Sequence, residues 1–481
     1  MACAVFGAKL LTISTLGSPM PLVDQWDGEA TGVYGPYLHG TLTFSDLFAP
    51  FNGHRIFLTR VFTLMHLELA GEWNTRLEMI LCAIVHTALI TWLAALLLPL
   101  VAPQRRMLLA CFVALLFAVP IGFENTLLGF NIHFYLTALF GIAALVSFAA
   151  ARAFSLRWFL GLAAAVLSYL SFTSGLATFV AAAAIVGLQL VTNNRKRCAR
   201  EFTSVAVLAS LAVAIVVYMP SGGRTATTPS TILEGFVLLT GIIAPALVPA
   251  VWFCRHTVAQ RPAISHRAWV AVGIVAWVVI QVALLAYGRG NQVLISRYMD
   301  LLLLIYPVGL VAVFAFAERA SVTRLGRYAR GGAVVWVSLV VSLIALTGFV
   351  NALAAIQWNT SARQQLDNVR KYLATNDIAY LKPRPDPGSG INVTYFNPQP
   401  LAHILQDPAV RAILPPEIRP ADADNADARK HMRLKGALAG VTAGAVHVLL
   451  AMGPALLAVG AGLFFVTAAR RERSPRSADT S

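Results

Sequence analysis

The chain predicts an all-α integral membrane protein of about 12 transmembrane helices, and three observations carry the prediction. Of its 481 residues, 58% are hydrophobic and 12% are charged, well under the roughly 25% charged residues of a soluble domain. Apolar runs of ~17–25 residues, long enough to cross hydrocarbon, recur along the whole length. These runs do not alternate polar with apolar positions, which excludes a transmembrane barrel. The net charge of +15 does not point to nucleic acid, because the basic residues cluster at the ends of the apolar runs, where membrane topology accounts for them.

The first run, 2–17, is short and is interrupted by Lys9. No basic residue precedes it, so it reads as a short first span rather than a cleaved signal peptide. The polar stretch 18–77 forms a first outer loop. Within it Ile56, Val61, Leu64 and Leu67 can share one helical face, which predicts a helix lying along the membrane surface. Further spans are predicted at 78–102, 107–122, 129–151, 158–173, 175–191, 202–219, 231–253, 268–287, 299–317 and 332–355, with the 158–173 and 175–191 pair broken at Thr173-Ser174-Gly175. Residues 1–356 therefore read as a transmembrane domain. Residues 357–434 are the one sizeable polar segment: helix-like over Ser361–Thr375, Pro/Gly-rich over Lys382–Gly390, with a strand predicted at Ile391–Tyr395. This segment is too short and too broken for a core of its own and reads as a small extracytoplasmic cap. A last span, 435–469, leads to a basic tail, 470–481.

Orientation follows from arginine. The turns at 104–106, 152–157, 195–200, 255–267, 319–330 and 470–476 are rich in it, whereas the alternate turns hold little beyond Arg224, Arg289 and Arg297. The positive-inside rule makes the rich set cytoplasmic and puts both termini inside. The opening loop, Glu124, residues 289–300 and the 357–434 segment then face outside. The five cysteines lie in spans or beside cytoplasmic turns, which predicts no disulfide.

Ionisable groups at the edge of hydrocarbon are costly unless they pair or line a cavity. On the outer side they fall in four places: Asp24, Asp27 and Glu29; His54 and Arg55; Glu124 with Asn131 and His133; and Arg289 with Arg297. Carboxylates together with arginines suit transfer from a phosphate-activated donor. A carboxylate can take the proton of an acceptor hydroxyl, and guanidinium groups can hold the phosphate and stabilise the leaving charge. A divalent metal bridged by Asp24 and Asp27 is a variant of that chemistry. No ATP is available outside, so the energy has to arrive in the donor. Each group also has a plainer reading, as a solvated loop charge, a helix cap, a lipid-headgroup contact or, for His133, a core histidine. No nucleotide-binding or zinc motif occurs.

Four short stretches carry a family resemblance: VDQWDGE (Val23–Glu29), NGHRI (Asn52–Ile56), GFENTLLGF (Gly122–Phe130) and SRYMD (Ser296–Asp300). With the twelve-span layout they resemble the GT-C superfamily of polytopic glycosyltransferases, in a poorly characterised bacterial branch. The resemblance implies a polyprenyl-phosphate sugar as donor and a glycan, lipid or protein of the cell envelope as acceptor, at the bacterial inner membrane. It implies an acidic catalytic residue in the first outer loop: Asp24 or Asp27 as base or metal ligand, with Glu29 supporting. His54, Arg55, Arg289 and Arg297 then hold the donor phosphate, Glu124 and Asn131 support them, and the cap helps select the acceptor. The acidic spacing here is Asp-x-x-Asp-x-Glu rather than an adjacent Asp-x-Asp, which leaves open which carboxylate is the base and whether a metal is needed. The rival readings are a transporter or flippase of lipid-linked saccharides and a non-catalytic envelope scaffold. Transporters place substrate groups near midspan and show related halves; these spans are nearly free of charge, Lys9 being the charged exception and Gln281 a neutral polar one.

Overall fold

A computed structural model describes residues 1–218, 227–320, 326–382 and 391–473. Arg224, Arg324, Arg476 and all but Lys382 of the Pro/Gly-rich stretch lie outside the described residues. Among the described residues, nine helices are long and apolar enough to cross a membrane: Thr75–Leu100, Gly129–Ala150, Thr173–Val191, Ala199–Val217, Pro229–Gln260, Ala268–Arg289, Ser296–Ala320, Gly326–Thr375 and Ala439–Thr467. The protein is therefore an all-α, multi-pass type of chain, as predicted. The other three predicted spans are the shorter helices Ala2–Leu16, Arg106–Ala118 and Leu156–Ser171. At 1.5 Å per residue they are ~20–24 Å long, short of a ~30 Å hydrocarbon core. Local chemistry stops two of them: Pro120 follows Arg106–Ala118, and the tight turn Thr173–Gly175 follows Leu156–Ser171.

The core gathers around Gly129–Ala150, Thr173–Val191, Ala268–Arg289 and Ser296–Ala320, whose apolar side chains are mostly buried. Gly326–Thr375 and Ala439–Thr467 instead turn large apolar side chains outward, among them Leu346, Phe349 and Phe465, as lipid-facing helices do. The first helix packs along the last. Gly7 permits this, since a Cβ there would run into the Leu457 backbone; small residues at such crossings let the backbones approach.

The two ends of the bundle differ in chemistry. At one end the arginine-rich turns meet one another. Arg105 pairs with Glu318 at 3.3 Å, Asn194 donates to the Pro262 carbonyl at 2.7 Å, and Arg267 donates to the Ala95 carbonyl at 2.8 Å. At the opposite end the opening loop, the Gly122–Asn131 turn, residues 289–300 and the C-terminal polar segment come together.

One expectation is corrected and two others gain detail. Gly326–Thr375 is one continuous helix of 50 residues, so the change to polar sequence at 357 falls inside a helix; it brings no Gly or Pro to break the backbone. Residues Ile391–Tyr395 form no strand, since among the described residues none lies beside them to pair with. They run as a single pass pinned at Val393, whose N–H donates to Ser361 Oγ at 3.2 Å, and at Tyr395. The helix Phe57–Ala70 exists, and the four apolar residues read as one face divide between the protein and its surroundings: Ile56 and Leu67 are buried, Val61 is exposed. Thr59, Arg60, Thr63 and His66 point inward with Leu67, while Val61 and Met65 are exposed. In a bilayer the apolar side chains have no reason to turn inward, and the polar ones find partners in the protein.

A second apolar core unites the opening loop with the C-terminal segment: Met20, Leu22, Trp26 and Tyr34 pack with Tyr372, Leu401, Leu405 and Ile413. This core fixes the loop that carries the carboxylates.

Candidate functional site

The acidic loop is built on an unusual backbone. Val23 has φ +39°, a left-handed conformation that a β-branched residue adopts only under strain of about 1–3 kcal/mol. From Trp26 to Tyr34 the chain winds as a wide π-helix, a rare form that often marks functional positions. Asp24 sits between these two features and turns toward Arg297, with Nη1 at 3.7 Å from its Oδ2. Burial pushes the Asp24 carboxyl above its usual range, and the Arg297 guanidinium pulls it part of the way back.

His54 is placed by a hairpin that the sequence spelled out and the reading above missed. Pro50–Phe51 pairs antiparallel with His54–Arg55 across the two-residue loop Asn52-Gly53, both in positive φ (45° and 76°). Asn-Gly is the strongest short hairpin signal for this reason. Thr173, in the break between two apolar helices, clamps the hairpin: its hydroxyl donates to the Gly53 carbonyl at 3.2 Å and accepts from the Arg55 N–H at 3.3 Å. The His54 ring lies 4.2 Å from that of Phe172, and its Nδ1 is buried without a hydrogen-bond partner. Burial, reinforced by Arg289, pushes its pKa down to about 4, so the imidazole is neutral at pH 7. Gly53→Ala is expected to cost about 1–2 kcal/mol in the hairpin and to displace His54, which thermal unfolding and a fall in ligand affinity would register together.

Arg297 is fixed from the other side. Its Nε donates to Glu124 Oε2 at 2.9 Å, and Ser296 Oγ donates to Glu124 Oε1 at 3.0 Å. Asn131 Nδ2 donates to the Glu124 carbonyl at 3.4 Å. Arg297 thus bridges Asp24 and Glu124. Arg289 lines the same cleft, and its guanidinium has no hydrogen bond or ion pair among the described residues.

Asp24, His54, Asn131, His133, Arg289 and Arg297 therefore share one cleft, with walls that include Phe130, Phe134, Phe172 and Tyr298. Its volume is about 40 Å³, close to that of one water molecule, whose share of the liquid is about 30 Å³. Glu124 stands immediately behind it through Arg297.

The remaining candidates lie elsewhere. Arg55 turns back on its own loop, donating to the Phe48 carbonyl at 2.6 Å. Asp27 accepts from Tyr395 OH at 2.6 Å; burial and this bond push the phenol's pKa up, so it stays a donor. Glu29 is fully buried and accepts from Gln25 (2.9 Å), Thr63 (3.0 Å) and Trp73 (3.3 Å). The same Gln25 amide donates to Glu78 at 2.8 Å. Glu29 thus belongs to a buried polar pair with Glu78, away from the cleft. Asp24 and Asp27 face different partners, and among the described residues no three His, Cys, Asp or Glu side chains come together for a metal, so this arrangement does not fit an ion bridged by that pair.

Burial pushes the Glu29 carboxyl above the ordinary carboxylate range. A group raised in this way contributes stability that is full below the ordinary carboxylate range and is lost as pH rises from there through its raised pKa of about 7. Glu29→Gln is expected to flatten this dependence and to keep near wild-type stability, because the Thr63 hydroxyl can reverse its role. Glu29→Ala strands its donors and is expected to cost about 1–3 kcal/mol. Thermal unfolding across pH separates the two outcomes.

No protein-family model, curated protein or solved structure matches the chain. Of the residues that the sequence reading missed, Tyr395 ends the segment read as a strand, and Glu78 opens the predicted span 78–102.

Proposed function

We propose that the protein is a glycosyltransferase of GT-C type that moves a sugar from a polyprenyl-phosphate donor to an envelope glycan, lipid or protein acceptor. In this reading it crosses the bacterial inner membrane about twelve times, with both termini in the cytoplasm. The cleft opens on the outer side, and the segment up to residue 434 caps it. The observation that carries the reading is the pairing, in one cleft, of a carboxylate held on an arginine with a guanidinium and an imidazole nitrogen that have no hydrogen-bond partner among the described residues: Asp24 on Arg297, beside Arg289 and His54. A phosphate supplies the charge and the acceptor oxygens that this arrangement lacks.

The chemistry follows from the groups. Asp24, its carboxyl raised by burial, takes the proton of the acceptor hydroxyl. The hydroxyl oxygen bonds to the anomeric carbon as the bond from that carbon to the phosphate oxygen breaks. The electron pair leaves with the lipid phosphate, whose added charge falls to Arg289, with His54 contributing a neutral hydrogen bond. In its present width the cleft admits water but not a sugar phosphate, so donor binding parts its walls. Asp27, held on the cap by Tyr395, supports the acceptor side. Transfer of a labelled sugar from a polyprenyl-phosphate donor in proteoliposomes tests the reading, which falls if Asp24→Asn protein transfers as well as wild type.

A further inference from the structure

Beneath the cleft lies a second polar cluster, built from three segments far apart in sequence. Lys9, on the first helix, is buried and donates to Thr126 Oγ1 at 2.9 Å. Its ammonium lies 5.6 Å from the centre of the Tyr135 ring. The Tyr135 hydroxyl donates to Asp300 Oδ2 at 2.7 Å, and Asn125 Nδ2 donates to the same oxygen at 2.9 Å. Lys9 and Asp300 do not touch, but they lie close enough to attract each other across the cluster formed by Thr126, Tyr135 and Asn125. Gly122 leaves room for the carboxylate, since any Cβ there would collide with Asp300. A lysine and an aspartate buried in an apolar bundle are each costly alone, and together they offset that cost.

The cluster is joined to the cleft by covalent neighbours. Thr126 and Asn125 follow Glu124 on the short helix Phe123–Leu127, and Asp300 lies one turn beyond Arg297 on Ser296–Leu302. Asn125 Nδ2 also donates to the Arg297 carbonyl, at 2.8 Å. One amide therefore ties the two short helices that carry the Glu124–Arg297 pair.

We infer that Lys9 is a positioning residue: by neutralising Asp300 under the cleft, the first helix holds Phe123–Leu127 and Ser296–Leu302 in register and so fixes Arg297 for an anionic ligand. The positioning itself does not depend on which anion binds. The lipid-phosphate arm of its test rests on the function proposed above.

The experiment compares Lys9→Met, Asp300→Asn and the double variant in full-length protein in nanodiscs. Backbone hydrogen exchange is read over 122–131 and 289–302, and binding of a polyprenyl monophosphate is measured alongside. Lys9→Met is expected to speed exchange in those two segments and to weaken binding about tenfold, a loss of about 1.4 kcal/mol. The double variant, with no buried charge left, is expected to recover both. If Lys9→Met protein does not fold but the double variant does, charge compensation is established, and Asp300→Asn then supplies the exchange comparison. The inference is overturned if Lys9→Met leaves exchange in both segments unchanged, raises it uniformly over the chain, or is not improved by Asp300→Asn. Should wild type bind no polyprenyl phosphate, the proposed function fails, while the exchange result still decides the positioning role.

Discussion

Asp24→Asn is expected to lower sugar transfer by about 10²–10⁴-fold, the contribution of a positioned general base, while leaving the fold intact. The fold survives because Arg297 keeps its closer partner, Glu124 at 2.9 Å, when the Asp24 contact at 3.7 Å is weakened. The chemistry does not survive, because an amide cannot accept the acceptor's proton. Asp27→Asn provides the contrast. Its carboxylate engages Tyr395 of the C-terminal segment, and its loss is expected to slow transfer by about tenfold or less, since a neutral amide oxygen still accepts that hydrogen bond. Transfer rates in proteoliposomes, with thermal unfolding of the same preparations, check both variants. Equal losses at the two positions would remove the distinction drawn between Asp24 and Asp27.

Arg289→Ala and Arg297→Ala are expected to separate binding from stability. Arg289 makes no hydrogen bond or ion pair among the described residues, so its removal is expected to leave thermal unfolding unchanged. In the proposed function it removes a charged hydrogen bond to the donor phosphate, worth about 1.5–3 kcal/mol, and so is expected to raise the donor KM by roughly 10–100-fold. Arg297→Ala costs the fold as well. It leaves Asp24 and Glu124 facing each other without the cation between them, a destabilisation of about 1–3 kcal/mol from carboxylates left without their donor. Donor titrations and melting curves of the two variants check the contrast.

Much of the architecture was legible because hydrophobic length and arginine placement act locally. Each predicted span falls on a helix, and the arginine-rich turns meet at one end through pairs such as Arg105–Glu318. The convergence of Asp24, His54, Asn131, Arg289 and Arg297 was legible as a shared end of the bundle. Their contacts were not, because pairing depends on tertiary placement: Glu29 and Asp24 are five residues apart, yet one is sealed against Trp73 and the other lines a cleft. The Asn52-Gly53 hairpin was readable and went unread. The polar inward face of the Phe57–Ala70 helix has a general cause. Burial of apolar side chains orients a helix in water, whereas in a membrane Thr63 and its neighbours are the ones that gain by turning inward. The Lys9–Asp300 cluster was hidden for a similar reason, since its members lie on different helices and meet through Thr126, Tyr135 and Asn125.

The central claim is that the Asp24–Arg297 cleft transfers sugar to the cell envelope. Mass spectrometry of envelope glycans and lipids tests it most directly, in a deletion strain complemented with wild type or with Asp24→Asn. The account predicts that a hexose- or pentose-sized mass disappears on deletion, returns with wild type and stays absent with Asp24→Asn. An unchanged profile on deletion, or full restoration by Asp24→Asn, would contradict it.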